Sequence, residues 1–418
     1  MEPPIEPNSS IPSITRRYYL MRWIDAVGPS FVLVNNVLFM QARGLSQFEM
    51  NCWAATYFAV AFASDVPMGA FADAMGRRVA YVLGCTLGVA SFLIYFLAHR
   101  YWIFLLAAVI GGVGDMMRNG AVDAWAVDAI ASTGFSGSLD RVFSRASQVM
   151  QFGGMLAVLL GGYSARIDIA TPWLLGAIGQ TGMAMAAVSL MRGENRVGHS
   201  FHPHAVALRV RERLVDAIQA ALANRTVLTL ALANGITMAA WAPFWFEWPQ
   251  YFNAAFNRGA QMAAWVYCLT SIATMLGAEF IARRQPDPSG RPVFMSVVVG
   301  LQSVALLGAG LAMGHSAIVL ALFLGSTVCA GISMPVYMAW YNEHIEESHR
   351  ATLLSFQSTC ARLGAAIGLP VGGRIADAYG FGITWQIAGA LALLAAPCYA
   401  MLSAQAARVP SVVPAPEE

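Results

Sequence analysis

The stretch "GAFADAMGRR", Gly69–Arg78, closes one apolar run and opens the next. Its spacing, Gly-x-x-x-Asp-x-x-Gly, returns in "GRIADAYGFG", Gly373–Gly382, again at the close of an apolar run. Only the first copy continues into two arginines. The apolar runs on either side set the class of protein. Of 418 residues, 57% are hydrophobic and 11% charged. Soluble domains carry about 25% charged residues, so a chain of this composition belongs largely in lipid. The formal net charge of +2 leaves no basic footprint for nucleic acid.

A helix needs about 20 mostly apolar residues to cross a bilayer. Twelve windows qualify. Six lie near 19–41, 50–72, 79–98, 102–127, 143–164 and 171–191, and six near 226–249, 261–282, 293–313, 317–340, 352–373 and 382–403. Asp115, Arg118 and Asp123 interrupt the fourth. The two sets echo each other: Arg141 and Gln148 recur as Arg350 and Gln357, and Gly161-Gly162 as Gly372-Gly373, at offsets near half the chain. Parallel six-span repeats usually hold their substrate near mid-membrane at the interface between them. The expected fold is therefore all-α and integral to the membrane, with twelve transmembrane helices in two six-helix pseudo-repeats around a central cavity. The expected segments are a disordered tail 1–17, a first bundle 18–191, a linker 192–224, a second bundle 225–405 and a tail 406–418.

Arginine is the only basic residue type besides histidine, and short basic loops stay cytoplasmic. With both termini inside, the inner loops and tails hold 17 arginines and the outer loops five: Arg43, Arg100, Arg166, Arg258 and Arg374. The reverse orientation breaks the rule. Nine spans separate the two Gly-x-x-x-Asp copies, an odd number, so they face opposite sides. The inner copy carries arginines and the outer copy is nearly stripped of them. In the linker, Val210, Leu214, Ile218 and Leu222 fall at helical spacing among arginines and acids, which predicts an amphipathic helix on the inner leaflet. The six cysteines are scattered through apolar segments without metal spacing and read as small hydrophobes. The first residues are acidic, then Pro/Ser-rich, and do not have the form of a signal peptide.

Gly69, Asp73, Gly76, Arg77 and Arg78, between the second and third spans, resemble the loop signature of the major facilitator superfamily of secondary transporters, apart from Ala74, where a basic residue is usual. "RGLS" at 43–46 and "RATLLS" at 350–355 resemble the family as well, and the resemblance covers nearly the whole chain. It implies that Arg77 bridges to an acid at the inner end of another helix, for which Asp128 is the partner, and that this cluster latches the outward-facing state. Elsewhere the chain departs from the family. Ala108 stands where many members have arginine, the fifth span keeps only Gly161 and Gly162 of the antiporter pattern, and the second-half counterpart keeps Gly277 and Arg283-Arg284 but no aspartate. Asp377, in the outer copy, reads as a structural cap.

Ionisable groups within spans are costly, and are paired or functional. Asp115 and Arg118 are i, i+3 neighbours near mid-membrane, and Arg22 and Asp25 repeat that spacing nearer the cytoplasm. Each pair is either a structural ion pair or a proton-coupling site, since desolvation raises a buried acid's pKa and a movable arginine lowers it. Arg362 is central in its span and has no acid among its helical neighbours, so it points to a partner on another helix, a wet cavity or an anionic substrate. Asp65, near the signature loop, is a gating candidate. Asn35, Asn119, Gln151, Asn234, Trp241, Tyr337, Trp340 and Gln357 are candidates to line the cavity, each also open to a packing role. "WAPFWFEWPQYF", 241–252, reads as an aromatic belt.

No P-loop, Ser-His-Asp set or HExxH occurs. The expected protein is not an enzyme and needs no cofactor. It is a monomeric transporter of the cell's inner membrane whose partners are the lipid bilayer, protons and a small organic substrate. The drug-exporter-like look of the sequence favours export, while uptake of an organic anion, which Arg362 would suit, stays open. A sensor or an intramembrane enzyme is the alternative of another class.

Overall fold

The computed structural model describes residues 11–133, 139–191, 218–284, 286–345 and 350–406. Every element among them is helical. Helix α1 is Ile11–Ser30, α2 Asn36–Ala42, α3 Gln47–Met75, α4 Arg77–Leu97, α5 Tyr101–Arg118, α6 Ala121–Ala131, α7 Asp140–Ser164 and α8 Thr171–Leu190. Then come α9, Arg225–Phe256, α10, Gln261–Arg283, a single 3-10 turn, Pro288–Gly290, and α11, Arg291–Leu311. The chain continues through α12, Ser316–Glu343, α13, Arg350–Leu393, and α14, Ala395–Ala406.

Nine helical runs among the described residues are long and apolar enough to cross a membrane. One of them, Leu353–Leu402, is a folded pair, because α13 breaks at Gly380, where φ is 80° and ψ is 169°. The expected first and fifth spans, α1–α2 and α7, do not pass on composition: Arg16, Arg17, Arg22 and Asp25 dilute α1, and α7 carries Gln148, Gln151 and four glycines among its apolar residues. The first span is also not one helix. Residues 31–35 form a turn, and α1 begins at Ile11, ahead of the expected start. The early start has a reason in burial: Ile14, Tyr18 and Met21 form one buried stripe at helical spacing. The expected fourth span is likewise split, because Gly120 adopts φ 71° between α5 and α6. Of the linker helix, Val210 and Leu214 lie outside the described residues, while Ile218 and Leu222 are exposed.

The described residues pack as two compact units. The first holds everything up to Met191, together with Trp245–Cys268 and Leu369–Asp377. The second holds residues 218–244, then Leu269–Gly368 and the described residues after Asp377. In the first unit α4 packs on α5 and α8, and α1 on α7 and α8. Backbones touch where side chains are absent: a Cβ on Gly161 would overlap the Phe31 carbonyl oxygen. The second unit's core gathers Tyr337, Trp340, Tyr341, Leu353 and Tyr399. There α10 and α12 cross on glycines, where a Cβ on Gly277 would overlap the Val328 oxygen and one on Gly331 the Thr274 oxygen.

Candidate functional site

The first unit contains a half-buried ionic network drawn from five helices. Tyr18, Arg22 and Asp25 share one face of α1 at spacings of four and three. Arg118, at the end of α5, binds Asp115 one turn earlier through its Nη2, and its Nη1 lies 3.5 Å from Asp25 Oδ1. Arg22 Nη1 donates to Asp25 Oδ2 at 3.2 Å, and Arg22 Nε lies 3.5 Å from Asp123 Oδ1 on α6. Three tyrosines complete the cluster. Tyr57 of α3 donates to Asp115, Tyr81 of α4 to Asp25 at 2.7 Å, and Tyr18 to Asp123 at 2.7 Å. The Arg118 side chain is only 8% exposed. Its stem crosses α4 at Gly84, where a Cβ would stand 2.6 Å from Arg118 Cγ. The glycine thus makes room for the cation.

The network holds three carboxylates, Asp25, Asp115 and Asp123, against two guanidiniums, Arg22 and Arg118. Fully ionised, it carries one excess negative charge. Charge inside a bilayer-length bundle is expensive, so an unbalanced network is a natural place for a proton or a cation. Asp25 faces both arginines, Asp115 faces one closely, and Asp123 meets only Arg22, at 3.5 Å, with its side chain 38% exposed.

At the signature loop, Gly76 turns the chain with φ 95° between α3 and α4, which glycine adopts without strain. Arg77 Nη1 donates to Asp128 Oδ2 near the end of α6, while Asp73 is exposed and Gly69 has open space at its Cβ position. Arg78 is engaged by a neighbour. The second unit repeats this ion pair: Arg291, at the start of α11, donates to Glu343 at the end of α12. Arg77 and Arg291 begin the third helix of each pseudo-repeat, and Asp128 and Glu343 end the fourth. The repeat is thus kept as an ion pair after its aspartate motif has been lost.

The remaining candidates scatter. Asp65 Oδ1 accepts from Asn119 Nδ2 at 3.4 Å, beside the α5–α6 break. Asn35 is buried and donates to the Phe31 oxygen at 3.3 Å, inside the turn that splits the first span. Gln151 is exposed, Asn234 half-buried, and Arg362 half-buried and engaged by a neighbour. Tyr337 and Trp340 lie in the second unit's core, with the Tyr337 hydroxyl bonded to buried Gln357 and lying 3.3 Å from the Leu230 oxygen. Trp241 is buried edge-on against Phe244. Sequence reasoning had no signal for the three tyrosines. It passed over Asp123 as a mere interruption of a span, and Glu247 as part of an aromatic run. Glu247 is fully buried in α9, and a lone acid inside that run was the available clue.

A chain whose described residues form bilayer-length helices in two units, with a half-buried ionic network in one of them, has the build of an integral membrane carrier. A sequence model of the Major Facilitator Superfamily matches residues 18–285 and 230–417, and the chain belongs to that superfamily. No curated protein sequence matches it. The fold is similar to that of a mutant of the nucleoside transporter NupG, with a TM-score of 0.73 at 11% identity over 93% of this chain and 99% of that one. It is also similar to the peptide transporter POT in complex with sulfate, at 0.72 and 14% over 94% of each chain. For the human organic anion transporter MFSD10 (TETRAN) the values are 0.64 and 13%, over 94% of this chain and 100% of that one. The protein is a multi-pass membrane transporter.

Proposed function

We propose that this chain is a proton-coupled secondary transporter that exports a small organic compound by alternating access. The observation that supports coupling is the odd charge of the network around Arg118. Two guanidiniums cannot neutralise three carboxylates, so the cluster takes up a proton in one state and gives it back when water reaches it in another. Asp115 is the proposed carrier. Its partner Arg118 sits on the last turn of α5, directly before the Gly120 break, and a small bend there changes how closely the guanidinium faces the carboxylate. Asp25 and Arg22 relay the charge to Asp123, the carboxylate nearest solvent.

Arg77 with Asp128, supported by Gly69, Asp73, Gly76 and Arg78, serves as the interior latch, and Asp65 with Asn119 as a gate beside it. Of the expected cavity residues, Gln151, Asn234 and Arg362 retain exposure and remain proposed to face substrate, each within its own unit, while Asn35, Trp241, Tyr337, Trp340 and Gln357 are packed inside theirs. The arginine distribution supports cytoplasmic termini, and the proposed carrier works in the inner membrane as a monomer. The solved structures of similar fold include nucleoside, peptide and organic anion transporters, a range that supports a small organic solute without choosing one.

The test is purified protein in proteoliposomes with an internal pH dye, challenged with organic anions, cations and neutral compounds. Protons moving opposite to a substrate, and not in Asp115→Asn, support the reading. Co-directional movement restricted to anions and dependent on Arg362 replaces it with uptake. A hit that moves without any proton movement refutes coupling.

A further inference from the structure

The outer copy of the motif, 373–380, meets the start of α3. The first N–H groups of a helix have no partner within it. Here two of four are satisfied locally by a capping box. Ser46 N donates to Glu49 Oε2 at 2.9 Å, and Glu49 N to Ser46 Oγ at 3.2 Å. The other two are satisfied from 330 and 329 residues away. Gln47 N donates to Asp377 Oδ1 at 2.8 Å, and Phe48 N to Asp377 Oδ2 at 2.9 Å. One carboxylate therefore closes the end of α3 with both oxygens, where the helix dipole favours negative charge.

Glycine permits the approach. A Cβ on Gly373 would lie 2.9 Å from the Gln47 oxygen and from Phe48 Cα. Deeper in, Asn51 Nδ2 donates to the Leu369 oxygen at 3.0 Å, Gln47 Nε2 to Asn51 Oδ1 at 3.0 Å, and Gln250 Nε2 to Gln47 Oε1 at 2.8 Å. Gln47, Asn51 and Gln250 are all buried. This ladder joins α3 of the first pseudo-repeat to α9 and α13 of the second, and lies wholly within the first compact unit. It sits at the opposite end of α3 from Gly76 and Arg77.

We infer that Asp377, with Gly373 and the Gln47–Asn51–Gln250 ladder, is a clasp that holds the outer end of the transporter shut, the counterpart of the arginine-bearing loop at the inner end. The inference rests on the alternating-access reading. To open outward, the carrier must pull 369–377 away from α3, which exposes two helix-end N–H groups to water and leaves the Asp377 carboxylate, already exposed, to solvent alone. They are hydrated there, so the clasp is reversible. The two copies share a spacing and not a role: Gly373 permits close approach and Asp377 accepts from a helix end, whereas Gly69 has open space around it and Asp73 is exposed. Only the inner copy needs arginine, whose partner is a side chain; the outer partner is a helix end that carries its own partial positive charge.

The test measures distance and needs no substrate. Spin labels at Trp102→Cys and Val371→Cys, both exposed and both in the first compact unit, are placed in full-length protein whose native cysteines have been replaced, in nanodiscs. The parent should give mainly the short distance. Asp377→Ala should raise the ratio of long to short populations about tenfold, the order expected for losing hydrogen bonds to a charged group. A second comparison covers the case in which Asp377→Ala folds poorly. Gln47→Pro removes one donated N–H at a helix position that tolerates proline, and Gln47→Ala removes only the side chain. The clasp predicts more opening in the proline variant than in the alanine variant. Equal distributions for proline and alanine, or an unshifted distribution in a well-folded Asp377→Ala, overturn it. Because no transport is read, failure of the clasp is distinguishable from failure of the proton-coupled reading.

Discussion

Arg118 has two carboxylates within reach and a side chain that is 8% exposed, so its removal leaves Asp115 and Asp25 facing each other without a cation. Arg118→Met should therefore destabilise the protein by about 3–5 kcal/mol, the range for breaking a buried pair from one side. Asp25→Asn in that background should recover part of the loss, read as melting temperature in detergent. The exposed pair behaves otherwise. Asp128 is 69% exposed, so Arg77→Gln should cost at most about 1 kcal/mol in melting while still altering transport if the pair is a latch. The pairing of Asp115 with Arg118 was legible because an i, i+3 spacing is visible in one stretch of chain. Tyr57 and Tyr18 were not, since they reach Asp115 and Asp123 from 58 and 105 residues away. No local pattern distinguishes a tyrosine that donates to a carboxylate from one that packs.

At the level of the elements, glycine decides where helices touch and where they stop. Gly331→Ala and Gly277→Ala should each destabilise by about 1–3 kcal/mol, since each Cβ meets a backbone oxygen that cannot step aside. Gly314→Ala, with open space around it, should stay within about 0.5 kcal/mol of the parent. Thermal unfolding of the three variants side by side checks this. The existence of the helices was legible from hydropathy alone, but their interruptions were not. Gly120 lies in a run that reads as one span, and residues 31–35 unwind inside another. Asn35 and Asn119 each border a break: Asn35 Nδ2 donates to the Phe31 carbonyl within the turn, and Asn119 Nδ2 donates to Asp65 of α3. Asp377 shows the same limit, because its role as a cap was readable while the helix it caps was not.

For the whole molecule, the repeat survives in physics more than in letters. Arg77–Asp128 and Arg291–Glu343 occupy equivalent helix ends, although the second half has lost the motif that announces the first. The arginine count predicts which side those ends face. Alkaline phosphatase fused after residue 258 should be active and after residue 284 inactive, with green fluorescent protein giving the opposite pattern. Activity after 284 would reverse the orientation and, with it, which end the Asp377 clasp closes.

Substrate counterflow set against pH-driven accumulation, in the same proteoliposomes and for whichever compound proves to be carried, tests the proposed coupling most directly. Counterflow needs only binding and alternation; accumulation also needs the proton. Asp115→Asn should abolish accumulation and retain counterflow. Retention of both would contradict the assignment of the proton to the Arg118 network, and loss of both would reduce Asp115 to a structural partner of Arg118.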